Sequence, residues 1–318
     1  MSRLPWWPIL IGLALVAAAV AAGLVLAFGM GGGVAAVRPT PAGPPGRIAY
    51  VTTRGEQVSI VVADGSGRRA RLLDPVPEIQ QYQPAWSRGA KLLVYVGLVH
   101  GDPSTAEILV SAPSEGPFRQ LTRNLWEDDF PTWSPDGRSI AFYSFRPQGA
   151  GIYVMDASGR HQRLLAATTD PTSWAPAWAP DGKSIAFVRG VASKAEIYRI
   201  QPDGRGLRRL TRNSVFDTDP SWSPDGRRIA FESDRNGRSQ IYVMSADGGG
   251  QRHLTHDGGV DSHPTWSADG RWIAFTHVSA GGSSRVYLAA LDGSGQRPLT
   301  GSFARSGSDP ALSPSPKG

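Results

Sequence analysis

Carboxylates and one histidine recur immediately before a repeated Pro-x-Trp motif, and these residue types could bind a cation. The residues are Asp128, Asp129, Asp217, Asp219, Asp261, His263 and Asp309. Like charges held close together raise one another's pKa or attract a cation. If the fold gathers these segments at one place, they form a binding site for a metal ion or for a basic segment of a partner protein.

The metal version of this hypothesis is a calcium site, because Ca²⁺ prefers oxygen ligands. Its ligands would be Asp217, Asp219, Asp261 and Asp309; no other cofactor is indicated. The alternative is structural: an aspartate in a repeat can cap a turn and bond the backbone of its own repeat. On the sequence alone, both hypotheses stay open.

Other catalytic chemistry has little support in the chain. There is no Cys, which excludes disulfides, cysteine zinc sites and a thiol nucleophile. There is no Gly-x-Ser-x-Gly nucleophile motif. His253 and His256 have a ligand-like spacing, but they fall at the end of a strand pattern, where helical geometry does not apply. These observations favour binding over catalysis.

The basic residues do not indicate a nucleic-acid partner. The net charge is +6, and nearly all of the 33 basic residues are Arg. They are scattered over turns, as at Arg138, Arg227 and Arg271. A nucleic-acid-binding protein concentrates such residues on one face. The sequence therefore predicts a solvated basic surface and no nucleic acid.

The elements that must position the acidic residues are repeats. Tryptophan marks five of them, at Trp86, Trp133, Trp178, Trp222 and Trp266, with spacings of 47, 45, 44 and 44 residues. The stretch after each tryptophan reads as in WSPDGRSIAF, then an apolar run such as IYVM, a Gly-containing turn and an RLT-type ending. Alternating apolar residues separated by turn residues predict four short strands per repeat.

The two ends of the repeat region complete each other. Near the C-terminus, Leu312 stands in the tryptophan position, 46 residues after Trp266. The missing strands follow Gly46, where GRIAY matches the second strand of the other repeats. We therefore predict an all-β, six-bladed β-propeller of four-stranded blades. A C-terminal strand joining the N-terminal blade would close the ring and remove exposed sheet edges.

The recurring D-x-x-P-x-W-S-P-D-G-R-x-I-A-F…IYVM…RLT pattern resembles the TolB-type WD40-like repeat (PD40), over nearly all of residues 47–314. The resemblance implies an extracytoplasmic scaffold that binds proteins. Similar propellers occur in prolyl oligopeptidase-like enzymes and in oligogalacturonate lyase. TolB carries an α/β domain ahead of its propeller, and only 46 residues precede this one. We therefore expect the propeller without a place in the Tol–Pal envelope system.

The first residues predict a membrane anchor. Residues 9–28 are twenty consecutive residues without a charge, enough to cross a bilayer. We expect residues 1–28 to form an N-terminal transmembrane helix, residues 29–46 a Gly/Pro-rich linker, and residues 47–318 the propeller. The short tail would stay inside and the propeller would be exported. A cleaved signal peptide, giving a secreted or periplasmic protein, is the alternative.

These observations lead to one main functional hypothesis. The chain is expected to be a non-enzymatic, single-pass membrane protein with an extracytoplasmic propeller. The propeller would bind a protein or peptide at the mouth of its central channel, where the innermost strands begin and the acidic residues and His263 are expected to lie. The alternative is a metal-dependent carbohydrate-active or hydrolytic enzyme that uses the same carboxylates. A third hypothesis is a structural spacer in an envelope or secretion complex. An enzyme needs several differently tuned acid and base groups in one pocket.

Overall fold

The protein is a ring of six four-stranded antiparallel sheets. The computed structural model describes residues 44–73, 76–99, 101–113, 117–147, 149–167, 173–191, 194–256, 258–292, 294–299 and 307–314. Pro44–Gly318 form one compact unit. The predicted helix in residues 1–28 lies outside the described residues. Within the described residues, no helix is long and apolar enough to cross a membrane.

Each blade is an antiparallel sheet whose strands follow one another from the centre of the ring to its outside. Blade 1 has β24 (Ser308–Leu312), β1 (Arg47–Arg54), β2 (Gln57–Asp64) and β3 (Arg71–Leu72). Blade 2 has β4 (Ile79–Trp86), β5 (Leu93–Val99), β6 (Glu107–Ser111) and β7 (Arg119–Gln120). Blade 3 has β8 (Asp128–Trp133), β9 (Ser139–Arg146), β10 (Gly149–Asp156) and β11 (Arg163–Ala167).

The other three blades follow the same order. Blade 4 has β12 (Ser173–Trp178), β13 (Ile185–Val191), β14 (Lys194–Ile200) and β15 (Arg208–Arg209). Blade 5 has β16 (Asp217–Trp222), β17 (Arg228–Ser233), β18 (Gln240–Ser245) and β19 (Arg252–His253). Blade 6 has β20 (Val260–Trp266), β21 (Trp272–Val278), β22 (Ser284–Ala290) and β23 (Gln296–Pro298). Two 3₁₀ turns lie at Arg88–Ala90 and Pro103–Thr105.

The two ends of the propeller are joined in blade 1, which confirms the predicted closure. Ala311 of β24 pairs with Ala49 of β1. The Arg47 amide donates to Ser313 Oγ at 2.9 Å, and the Ser313 amide donates to the Arg47 carbonyl at 2.8 Å. The six innermost strands contact one another in a closed cycle. Closure gives every blade four strands and a neighbouring blade on both sides.

The core lies between neighbouring blades. Strand residues alternate in direction, so the apolar positions of one blade meet those of the next. Phe231 and Tyr242 of blade 5, for example, pack with Ile197 and Leu210 of blade 4. Phe231 is fully buried, and burying a side chain of this size stabilises the fold by about 1.5–3 kcal/mol. The blades are therefore held together mainly by apolar contact.

The WSPDG segments form the turns between first and second strands. The Asp136 carboxylate accepts hydrogen bonds from Ser134 Oγ at 2.6 Å and from the Arg138 amide at 3.0 Å. Gly137 has a φ of +70°, which a residue with a side chain adopts only at a cost. Ser223 and Asp225 make the same contact in blade 5. This motif builds the scaffold.

Some tryptophan side chains donate hydrogen bonds to the neighbouring blade and others do not. Comparing one of each kind measures what such a hydrogen bond contributes to stability. Trp266 Nε1 donates to the Ser221 carbonyl of blade 5 at 3.0 Å. Trp133 Nε1 is equally buried, yet it has no hydrogen-bond partner among the described residues. We expect Trp266→Phe to lower the free energy of unfolding by about 1 kcal/mol more than Trp133→Phe, because only Trp266 loses a bond. Equal losses in urea denaturation would contradict this.

The two ends of the ring differ in what they carry. The turns between first and second strands and between third and fourth strands lie on one face, which we call the turn face. The opposite face, the mouth face, carries the other connections and the start of each innermost strand. The chain enters at Pro44 on the turn face, because the Gly46 carbonyl accepts from the Gly65 amide in the β2–β3 turn.

The turn face has about two exposed basic residues for each exposed acid. The exposed basic residues are Arg68, Arg69, Arg71, Arg88, Lys91, Arg119, Arg138, Arg160, Arg163, Lys183, Arg205, Arg208, Arg227, Arg252 and Arg271. The exposed acids are Asp136, Asp181, Asp203, Asp225, Asp247, Asp269 and Asp292. Residues that look scattered in the sequence are thus gathered, because the same turn recurs at the same end of each blade.

Candidate functional site

Six equivalent residues form a ring where the innermost strands begin. Each one immediately precedes the proline of Pro-x-Trp or its equivalent. They are Gln83, Phe130, Ala175, Asp219, His263 and Asp309, with φ between +46° and +54°. Residues before proline ordinarily adopt extended backbone, and left-handed φ is uncommon without glycine. The fold therefore imposes this strained conformation six times. We call these residues the bulge ring.

Each ring residue lies in a β-bulge, where the pairing of the innermost strand with the second strand shifts register. A bulge re-aims a side chain away from the regular ladder. The contacts show where the side chains go. Gln83 Oε1 accepts from the Phe130 amide of the next blade at 2.7 Å. The ring thus connects neighbouring blades instead of packing within one sheet.

One half of the bulge ring is ionic. His263 Nε2 lies 3.6 Å from Asp219 Oδ2, and His263 Nδ1 lies 3.6 Å from Asp309 Oδ1. These residues come from blades 5, 6 and 1, so three consecutive blades contribute to one cluster. Glu232 joins it from the second strand of blade 5, where it pairs with Thr218. The sequence-predicted residues Asp219, His263 and Asp309 are therefore brought together.

The protonation states within this cluster are strongly coupled. Burial alone would lower the pKa of His263, but Asp309, Asp219 and Glu232 raise it to about 9. Burial and the nearby Asp219 raise the pKa of Glu232 to about 8. Burial also raises the pKa of Asp219, although His263 opposes the shift. At neutral pH, His263 is a cation and Glu232 keeps its proton.

The geometry around Ser239 agrees with a protonated Glu232. The Ser239 hydroxyl lies within hydrogen-bonding distance of both Glu232 Oε1 and Asp234 Oδ1. One hydroxyl carries one hydrogen, so it cannot donate to two ionised carboxylates at once. A proton on Glu232 resolves the conflict, because Glu232 then donates to Ser239 and Ser239 donates to Asp234.

The other half of the bulge ring is apolar. Phe130, Trp174 and Phe216 pack around Ala175, whose side chain is buried. The Trp174 and Phe216 rings stack with their centroids 5.7 Å apart, and Trp174 Nε1 donates to Thr218 Oγ1 at 3.0 Å. The mouth thus presents an aromatic surface opposite a charged one. Such a combination suits a ligand that is itself part apolar and part charged.

Three of the predicted site residues are instead buried inside their own blades. Asp217 is fully buried, accepts from Asn213 Nδ2 at 2.7 Å, and also accepts from Ser233 Oγ. Arg235 Nη2 lies 3.1 Å from Asp217 Oδ2. This matches the structural alternative raised by the repeat pattern, with side chains rather than the backbone as the main partners.

Blades 3 and 6 repeat the arrangement. Asp128 accepts from Asn124 Nδ2 at 2.7 Å and is paired with Arg146 at 3.2 Å. In blade 6, Asp261 is buried and lies 2.8 Å from His277 Nδ1. Asp128, Asp217 and Asp261 are thus not part of the bulge ring. Each lies two residues before the ring residue of its own strand.

Asp129 lies between these two positions and has a second acidic neighbour. Burial and Glu127 raise the pKa of Asp129 well above its ordinary value. Tyr143 pairs with Asp129 across the sheet. Burial raises the pKa of Tyr143, and the nearby Glu127 and Asp129 carboxylates raise it further. A second patch of tightly held carboxyl groups therefore lies beside the apolar half of the ring.

The predicted calcium ligands do not form one group. Asp217 and Asp261 are engaged within their blades, while Asp219 and Asp309 lie on either side of His263. The imidazolium thus occupies the place between the carboxylates that a bound cation would take. In the part of the chain that the structure describes, no group of three or more His, Cys, Asp or Glu residues is arranged to hold a metal ion.

Sequence reasoning missed Glu232, Glu127 and Tyr143. Glu232 lies on a second strand, outside the window before each proline. A signal was present, because Glu232 follows IAF where the other repeats have Tyr143, Val188 and Thr276. An acid at a position that is otherwise mostly apolar indicates a special environment.

The architecture and the bulge ring define the class of protein: a closed six-bladed propeller whose mouth is lined by side chains that contact neighbouring blades. The chain belongs to the TolB β-propeller family, because residues 129–317, more than half of its length, match the family described as PD40, TolB beta propeller domain.

Relatives with curated names agree with this family. Tol-Pal system protein TolB 1 of Novosphingobium aromaticivorans is 42% identical over 74 residues, covering 22% of this chain and 16% of the relative. Tol-Pal system protein TolB of Bordetella pertussis is 34% identical over 159 residues, covering 36% of this chain and 35% of the relative. The matched segments thus span at most about a third of these relatives.

Solved structures share the fold. TolB from Acinetobacter baumannii matches with a TM-score of 0.74 at 24% identity, covering 85% of this chain and 67% of that one. A putative TolB from Agrobacterium tumefaciens matches with a TM-score of 0.66 at 23% identity, covering 87% and 96%. An oligogalacturonate lyase in complex with manganese matches with a TM-score of 0.55 at 16% identity, covering 76% and 74%. At these identities the likeness concerns the fold alone.

Proposed function

We propose that this chain is a non-enzymatic, membrane-tethered propeller that binds an extended peptide segment of a partner protein at the channel mouth. The observation that carries the proposal is the bulge ring, whose side chains leave their own sheets and meet at the mouth. Six strained positions kept together indicate a functional surface. The relatives named as Tol-Pal system proteins support a role in a protein assembly.

The ring also indicates the chemistry of the partner. The aromatic half around Phe130 and Trp174 offers a surface for an apolar side chain. The carboxyl groups of Asp219 and Asp309 outnumber the one cation, His263, so a Lys or Arg on the partner would be attracted to this half of the mouth. A segment with an apolar anchor and a neighbouring basic residue fits both halves.

The arrangement of the carboxyl groups favours binding over hydrolysis. Asp219 and Glu232 lie close enough for Asp219 to raise the pKa of Glu232. Glycosidases hold their two carboxyl groups about 5 Å or more apart so that the scissile bond lies between them. Here His263 contacts Asp219 and Ser239 contacts Glu232, so both carboxyl groups are already engaged by neighbours. The metal-dependent or hydrolytic alternative would require this cluster to open.

The membrane tether is proposed from residues 9–28 on the sequence alone. A periplasmic or secreted protein, formed by cleavage of the same segment, is the alternative. Alkaline extraction of membranes distinguishes the two, because a spanning helix stays in the pellet and a soluble propeller is released. Peptide binding at the mouth does not depend on the outcome.

Capture of the partner tests the proposal. A fragment of residues 44–318 is immobilised and exposed to envelope extract, and a captured protein is identified by mass spectrometry. Phe130→Asp and Asp309→Lys are each expected to weaken capture by at least about tenfold, because each opposes one half of the ring. Titration with synthetic segments of the captured protein should show the same loss by calorimetry.

The matched control is Lys183→Gln, an exposed residue on the turn face. Its capture should equal that of the unmodified fragment. Capture that survives both mouth substitutions, or a captured protein whose segments do not bind in solution, would disprove the proposal. Turnover of oligosaccharide or ester substrates that Glu232→Gln abolishes would instead favour the enzymatic alternative.

A further inference from the structure

The turn face carries a ring of cations at one repeated position. Lys91, Arg138, Lys183, Arg227 and Arg271 occupy the same place in the first turn of blades 2 to 6, and all five are exposed. None of them forms an ion pair or a side-chain hydrogen bond with the described residues. Long basic side chains that are not held by a partner on their own protein are available to an external anion.

The aspartates in the same turns offset only part of this charge: Arg138 and Arg227 help to lower the pKa of Asp136 and Asp225, but over the whole face the exposed basic residues outnumber the exposed acids. The Asp136 carboxylate points into its own turn, where it accepts from Ser134 and from the Arg138 amide. Asp225 accepts in the same way from Ser223 and from the Arg227 amide. The carboxylates are therefore directed towards the backbone, while the cations extend into solvent.

We propose that the turn face docks on an anionic lipid surface. A membrane headgroup layer is a broad, flat array of negative charge, and a ring of separated cations matches it better than it matches a compact anionic ligand. The described part of the turn face exposes one large apolar side chain, Leu207, which lies between the exposed Arg205 and Arg208. An apolar residue flanked by arginines suits the boundary between headgroups and acyl chains.

The chain path favours a membrane over other anions. The chain enters the propeller at Pro44 on this face, and fifteen residues, 29–43, separate Pro44 from the apolar stretch of residues 9–28. The inference rests on the proposed function only for this tether. With the turn face against the lipid, the bulge ring would open on the opposite side, away from the membrane and towards a partner. Nucleic acid is disfavoured because the exposed aromatic side chains among the described residues, Trp126 and Phe145, lie on the mouth face.

Sedimentation with vesicles tests this inference on the propeller without its tether. The fragment of residues 44–318 closes its own ring through β24 and β1, so it is suited to the assay. It should sediment with phosphatidylcholine vesicles that contain about 30% phosphatidylglycerol, and not with pure phosphatidylcholine. Raising NaCl from about 0.1 to about 0.5 M should release it, because salt screens exposed charges.

Two variants of equal net charge distinguish binding by the turn face from attraction that depends only on the total charge of the protein. The turn-face variant replaces Lys91, Arg138, Lys183, Arg227 and Arg271 by Gln. The control replaces Arg54, Arg123, Lys194, Arg212 and Arg285, exposed on the mouth face, by Gln. The turn-face variant should lose at least about tenfold in vesicle partitioning, and the control less than about threefold. Far-UV circular dichroism and melting confirm that both variants are folded.

Several outcomes would overturn the inference: equal binding to neutral vesicles, equal losses in the two variants, or release by inorganic phosphate at constant ionic strength. The last would indicate a site for single anions instead of a surface. Failure of this inference is distinguishable from failure of the proposed function. Partner capture by the bulge ring is measured in extract without vesicles, so either result can stand while the other falls.

Discussion

Replacing Asp217 by alanine is expected to lower the free energy of unfolding by about 3–5 kcal/mol, the range for breaking a buried ion pair by removing one partner. Asp217 is fully buried and receives hydrogen bonds from Asn213 and Ser233. Its removal leaves the Arg235 guanidinium, whose side chain is 23% exposed, without its carboxylate. Urea denaturation at neutral pH, read by tryptophan fluorescence, measures the change.

Asp219→Ala is the matched control, two residues away on the same strand. The Asp219 side chain faces His263 across the mouth and is 14% exposed, and burial has already raised its pKa. We expect its loss to change stability by less than about 1 kcal/mol, because burial opposes the ionisation of Asp219 and offsets much of its attraction to the half-exposed His263 at 3.6 Å. Equal effects of the two substitutions would show that the division between buried and ring positions is wrong.

Asp128→Ala should repeat the larger effect in blade 3, because Asn124 and Arg146 hold Asp128 in the same way. Equal losses for Asp128→Ala and Asp217→Ala would indicate that these aspartates stabilise their blades and do not bind a ligand. A calcium ligand would reveal itself by a stability that depends on added Ca²⁺. The buried carboxylates should give the same loss with and without the ion.

The number of blades could be predicted because the repeat has a physical origin. Each blade needs one large side chain between sheets and one tight turn, so tryptophan and Pro-Asp-Gly recur at nearly constant spacing. The shared blade could be predicted as well, since Leu312 completes a motif whose remaining strands follow Gly46. The anchor in residues 1–28 stays a prediction.

The site could be predicted only as a window of three residues. Within it, the sequence does not distinguish the buried Asp217 from the ring residue Asp219, because the bulge between them changes which side each faces. Positions with left-handed backbone are usually occupied by glycine, so glycine in a sequence often indicates them. Here Gln83, Phe130 and His263 share that backbone without sharing any chemistry. The tertiary fold imposes the conformation, and the residue types at these six positions carry no sign of it.

The distribution of charge was also hidden by the linear order. Arg138, Arg227 and Arg271 are far apart in the chain, so they look like a scattered, solvated surface. The ring places equivalent turns at the same end, and the same residues then share one face. Absence of a charge run in the sequence is therefore a poor guide in a repeat fold. The expected solvated surface holds for each residue, while the gathering on one face is a property of the closed ring.

Stability is expected to fall as the pH rises from about 5 to 9, and Glu232→Gln should remove the part of this dependence that Glu232 contributes, while Asp129, whose pKa is also raised, keeps its own part. The folded-state pKa of Glu232 is about 8, well above its ordinary 4.5. Between these values the folded protein keeps a proton that the unfolded chain has released, so rising pH favours unfolding. His263 acts in the same direction, since its contribution is complete below its ordinary pKa of 6.5 and is lost as pH rises through about 9.

At about pH 5, Glu232→Gln should leave stability nearly unchanged, because glutamine resembles the protonated carboxyl. At about pH 9, the variant should be more stable than the unmodified propeller by up to about 5 kcal/mol, because ionising a carboxyl whose pKa is raised from 4.5 to about 8 costs about 1.36 kcal/mol for each pKa unit. Urea denaturation at the two pH values measures the difference. Because 40% of the His263 side chain is exposed, solvent screens part of the attraction to its carboxylates, and the larger share of the change is assigned to Glu232.

Glu196→Gln is the control for a buried glutamate of the opposite kind. Glu196 accepts hydrogen bonds from Thr211 and from the Asn213 amide and is paired with Arg209, so its replacement removes an ion pair and charge-assisted hydrogen bonds. Its replacement should destabilise the propeller and give no gain at alkaline pH. If Glu232→Gln also gave no gain at alkaline pH, Glu232 would not keep its proton at neutral pH. His263 would then balance fully ionised carboxylates, and the mouth would be more acidic towards its ligand than proposed.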